Sequence, residues 1–161
     1  MIWFLPIITI VLFYLFAILQ NSFFIYFNLF GAVPNIIFIL FFMLVFFSKK
    51  NSYYSAIFFA IIAGIFLDIL SISGFGVSII LLILIGLSIK KIQALLKENK
   101  DSYPFGSFLI IFLTSLLTYN LLSQNLSISF NLMFFMEIFY SSALAIFGFF
   151  TCKKFCKHKN V

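Results

Sequence analysis

A chain of 161 residues that is 65% hydrophobic and only 9% charged, with a mean hydropathy of +1.24, is not a water-soluble domain; such domains are about 25% charged. A soluble core of this length cannot hide so much apolar surface, so the solvent is lipid, and a single domain of about six helices of roughly 20 residues fits. The net charge of +6 does not mark a nucleic-acid partner, because the ten basic residues are lysines spread over short loops, without an aromatic-interleaved basic stripe. The absence of arginine and the 27 phenylalanines read as the residue bias of an AT-rich genome.

Hydropathy divides the chain into six apolar segments. The first covers about 2–19 of "MIWFLPIITIVLFYLFAILQ". It lacks a basic n-region and a small-residue cleavage site, and so reads as a membrane span rather than a cleaved signal. Pro6 falls early enough in it to be tolerated. The second covers about 34–48, with Pro34 expected in its first turn and Lys49 and Lys50 closing it. The third covers about 52–69 and the fourth about 76–89. Beyond it "KKIQALLKENKD" is expected to continue as an interfacial helix, with Ile92, Leu95 and Leu96 on one face. The fifth covers about 104–122 and the sixth about 130–151. Fold class is therefore an all-α integral membrane protein, a bundle of six transmembrane helices.

Lysine placement predicts orientation. Lys49 and Lys50 follow segment two; Lys90, Lys91, Lys97 and Lys100 follow segment four; Lys153, Lys154, Lys157 and Lys159 follow segment six. The connections after segments one, three and five have no lysine. The positive-inside rule then expects all lysines and both termini in the cytoplasm.

Two acids stand apart from the solvated Glu98 and Asp101. Asp68 lies roughly 24 Å up segment three and Glu137 about 10 Å down segment six, both in the half of the bilayer without lysines. Ionisable groups at such depth are functional-site candidates. Three readings of Asp68 stay open. It can accept hydrogen bonds from Ser71, Ser73 and the N–H groups that open segment four. It can be protonated in place. Or it can face a polar group of a partner. Glu137 has Tyr140 and Ser141 at i+3 and i+4, which allows an intrahelical cluster. Gly64 shares the face of Asp68 and admits a neighbouring backbone, while Ser141, Ala145 and Gly148 make a small-residue stripe for packing within the protein.

Catalytic patterns are missing. The one histidine, His158, sits in the tail, and no Ser-His-Asp set, zincin motif, phosphate-binding glycine loop or cluster of acids accompanies it. Cys152, Cys156 and His158 are three ligand types without a fourth, so reduced thiols rather than a metal site are expected. No enzyme activity and no cofactor are expected.

The stretch "GIFLDILSISGFGVSIILLILIGL" resembles the central signature of the bacterial rod-shape-determining MreD family, G-x-x-x-D-x-x-S-x-x-x-x-G, with Gly64, Asp68, Ser71 and Gly76 on the pattern without gaps. "VPNIIFILFFMLVFFSKKN" resembles the family's Pro-led second span, here beginning at Pro34, and its basic loop. Glu137 lies outside the pattern. The resemblance implies a non-enzymatic inner-membrane component of the elongation machinery that binds MreC and works with MreB, RodA and the elongation-class penicillin-binding protein. It also implies a likeness to the substrate-binding subunits of energy-coupling-factor transporters. The alternative is a small-molecule-binding transporter subunit. Against it, "ITIVLFYLFAILQ" lacks the A-x-x-x-A docking motif typical of those subunits. A channel or carrier would need polar residues along several helices.

Overall fold

The computed structural model describes residues 4–28, 31–48, 52–70, 76–95, 105–123 and 132–157. Six helices run through them: α1 (Phe4–Ser22), α2 (Ile36–Phe47), α3 (Tyr53–Leu70), α4 (Val77–Leu95), α5 (Phe105–Ser123) and α6 (Leu132–Lys157). Four of these, α3 to α6, are long and apolar enough to cross a membrane; α1 and α2 carry shorter apolar runs.

The shortest helix is the centre. Its sequence, IIFILFFMLVFF, has no polar face, and a helix apolar all round belongs inside. Nine of its 12 residues are buried. It touches all five other helices, and α1, α3, α4, α5 and α6 follow one another around it, each packed on the next. Among the described residues the ring does not close, because α6 and α1 do not pack on each other.

Phenylalanines fill the seam between α2 and its neighbours. Phe42 meets Phe112 at 5.0 Å and Phe46 meets Phe108 at 5.1 Å, both edge to face. Phe108 continues to Phe149 of α6 at 4.6 Å. Whatever biased the composition, these rings are the core. On the other flank α3 and α4 form the most closely packed pair. Ala56, Ala60 and Ala63 are fully buried along α3, with Gly64 beyond them. A Cβ built on Gly64 would stand 2.5 Å from the Cα of Ile79, so α4's backbone rests directly on this glycine.

Helix ends run beyond the hydropathy segments, α1 to Ser22 and α6 to Lys157, and two ends bear on the site. α4 runs past residue 89 without a break, so the stretch expected to continue as a helix does so as far as Leu95, and residues 96–104 lie outside the described residues. Pro34 is not in the first turn of α2. The N-cap is Asn35, whose side chain accepts from the Phe38 N–H, and Pro34 precedes it, buried.

Candidate functional site

A helix of 12 residues is about 18 Å long, well short of a ~30 Å hydrocarbon layer. At least one end of α2 therefore stops within the depth that its longer neighbours cross. Hydrocarbon offers no water to the free N–H and C=O groups of a helix end, so protein side chains must serve them. Among the described residues, Asn35, Ser141, Lys90 and Gln93 are buried polar side chains that serve α2 in this way, and with their neighbours they sit in two layers.

In the first layer α2 begins. Gln20, at the end of α1, accepts from the N–H groups of Ile36 at 3.0 Å and Ile37 at 3.2 Å with one oxygen, Oε1. Asn35 Oδ1 takes the Phe38 N–H at 3.0 Å. The Asn35 N–H in turn donates to Ser141 Oγ of α6 at 3.2 Å. Three helices thus meet at one N-terminus.

The same layer holds Asp68. Its carboxylate, at 5% exposure, accepts from the Gly76 N–H at 2.7 Å and the Ser78 N–H at 2.9 Å. An acid at the end of α3 thereby serves the N-terminus of α4, where the aligned peptide dipoles favour negative charge. Gly76 has φ +102, a conformation that side chains strain against, which suits a residue turning its N–H toward the carboxylate. Ser71 and Ser73 lie outside the described residues. Gly64 admits α4 of the same chain.

The polar layer crosses to α5 and α6. Ser78 Oγ and Tyr119 Oη share a hydrogen bond at 3.4 Å. Beside Tyr119, Asn120 donates from Nδ2 to Glu137 Oε1 at 3.5 Å. Glu137 is therefore held across the α5–α6 interface, not by the residues one turn along its own helix. Of those two, Ser141 serves Asn35, and the Tyr140 ring lies 6.2 Å from that of Phe24.

The second layer closes the other end of α2. Lys90, expected among loop lysines, is fully buried. Its ammonium donates to the Ser48 carbonyl at 3.1 Å and to Gln93 Oε1 at 3.3 Å. Gln93 Nε2 donates to the Phe46 carbonyl at 3.0 Å. A cation at a helix C-terminus is the counterpart of Asp68 at an N-terminus. Sequence reasoning passed over Gln20, Asn35, Ser78, Tyr119, Asn120, Lys90 and Gln93. The one available signal was the i, i+3 spacing of Lys90 and Gln93 in a stretch that remained helical.

Chemically, these groups fasten helices. Among the described residues no three His, Cys, Asp or Glu side chains stand together as a metal ion would require, and no buried side-chain nitrogen or oxygen lacks a hydrogen-bond partner. Cys152 is half-buried; His158 and the side chain of Cys156 lie outside the described residues.

A chain whose described residues form only helices and their connections, four of the helices being long and apolar enough to cross a membrane, is a membrane protein. It belongs to the family of the rod shape-determining protein MreD, whose family model matches residues 1–159, and its role is in rod-shape determination. No curated protein and no solved structure matches it.

Proposed function

We propose that this chain is a non-enzymatic, six-span component of the bacterial cytoplasmic membrane that binds MreC and acts with MreB, RodA and the elongation-class penicillin-binding protein in lateral wall synthesis. The observation that carries this reading is the family match, which takes in nearly the whole chain. The fastening role of the buried polar groups supports it, since a scaffold needs fixed helices rather than a reactive cleft. In this reading all lysines, the buried Lys90 included, and both termini lie on the cytoplasmic side of the bundle, and the bundle shares the six-helix fold of energy-coupling-factor substrate-binding subunits. Gly64, Asp68, Ser71 and Gly76 act together as the unit that sets the α3–α4 turn and the surface it offers to a partner.

The test is a pull-down of the full chain in mild detergent, read by mass spectrometry. Recovery of MreC with RodA-type proteins is the expected result. Recovery of a paired ATPase with a membrane coupling subunit would replace this reading with the transporter one. Orientation is tested separately: cysteines introduced at Asn28, Ser73 and Gln124 should react with an impermeant reagent from outside, and one at Asn51 should not. Labelling at Asn51 would reverse the assignment.

A further inference from the structure

The open side of the ring is a groove of about 710 Å³. Leu12 and Phe16 of α1 form one wall, Leu144 and Phe147 of α6 the other, and Leu40 and Met43 of α2 the floor. Its lining is hydrocarbon and aromatic, with Ser48 and Cys152 at one end as the exceptions. We infer that this groove is a binding site for an acyl chain of an anionic phospholipid, with the headgroup at the Ser48–Cys152 end. The inference requires only a membrane protein and goes beyond any reading of its partners.

Length, lining and charge point to this occupant. The floor follows α2 for about 18 Å, close to the depth of one leaflet, which is about half of a ~30 Å hydrocarbon core. A polar small molecule would need placed donors and acceptors along the walls. The two ends of the groove also differ. Its far end closes on Leu19, Phe24 and Ile36. The Ser48–Cys152 end has lysines beside it, with Lys153 directly after the groove-lining Cys152. Lys90 Nζ lies 3.1 Å from the Ser48 carbonyl. Lys153 Nζ stands 5.9 Å from the centre of the Phe149 ring, and that ring lies 5.9 Å from the groove-lining Phe47. Lys153 and Lys154 are both exposed. A groove that is apolar along its length and cationic at one mouth matches a lipid with a negative headgroup.

Native mass spectrometry of the full chain, purified in mild detergent and exposed to defined lipids, tests this. The expected result is retention of one anionic phospholipid in preference to a zwitterionic one with the same tails. Leu12→Trp and Leu144→Trp, filling the groove from opposite walls, should abolish retention. Replacing Lys153 and Lys154 by Gln should weaken anionic binding about fivefold per lysine and leave the zwitterionic lipid unchanged. As a check that needs no variant, a phospholipid with a photoreactive acyl chain should label groove residues of α1, α2 and α6 well above Ile110 and Leu84, which are exposed on other faces. Equal labelling of all faces, retention undiminished in the tryptophan variants, or equal retention of both headgroups would overturn the proposal. So would a groove found to hold a second copy of the chain.

Discussion

At the Asp68 end of the bundle the closing side chains accept hydrogen bonds, and at the Lys90 end they donate. Asp68, Gln20 and Asn35 receive N–H groups from the first turns of α4 and α2. Lys90 and Gln93 give theirs to carbonyls at the end of α2. The difference follows from helix polarity, since N-termini expose donors and a partial positive charge, and C-termini the reverse. Each buried charged group thus takes backbone groups as partners, and the cost of its burial is offset where the helix dipole has the opposite sign.

Reversing the sign at one end is the harshest way to break this arrangement. Lys90→Glu would set a carboxylate against the Ser48 carbonyl in a fully buried place. A loss of about 3–5 kcal/mol is expected, enough to remove most folded protein, read as a collapsed size-exclusion peak and falling membrane levels. An unaltered peak would mean that Lys90 leaves its buried position at little cost.

Removing a carboxylate without reversing its sign should cost less. Asp68→Leu leaves the Gly76 and Ser78 N–H groups without their acceptor, at roughly 1–3 kcal/mol. Gly64→Leu attacks the same hairpin by bulk, because even a Cβ there meets Ile79 Cα at 2.5 Å; overpacking of this kind costs about 1–3 kcal/mol. Both variants should melt earlier in detergent and fail to restore rod shape at matched expression.

Asp68→Asn sharpens the comparison, since it keeps an acceptor and removes the charge. A smaller loss of about 0.5–1.5 kcal/mol is expected, with rod shape and MreC co-purification retained. An Asn variant that melts normally yet rounds the cells would show that the charge itself, or exchange of its proton, matters to function. Glu137→Gln should change least, because its bond from Asn120 is long, at 3.5 Å. A melting shift as large as that of Asp68→Leu would show that the α5–α6 contact is as important as the α3–α4 turn.

Much of this chain was open to reading before any coordinates. Hydropathy located the six apolar segments, and the G-x-x-x-D spacing singled out Gly64 and Asp68 as a pair on one face. Partner choice was not open in the same way. Glu137 has Ser141 one turn away in sequence, yet Ser141 serves Asn35, 106 residues distant along the chain. Lys90 looked like loop charge because a lysine at the end of an apolar run is ordinarily solvated. It is buried here because α4 continues past it and α2 ends beside it.

The sequence by itself determined the solvent, the apolar segments and the family, because composition and spacing are properties of the chain taken locally. Only the tertiary structure decided that α2 is the centre, that α1 and α6 leave a groove, and which carbonyls the buried lysine serves. In water, polarity marks the outer face of a helix. In lipid the inner and outer faces are both apolar, so the pattern that would announce burial is lost, and packing settles it instead.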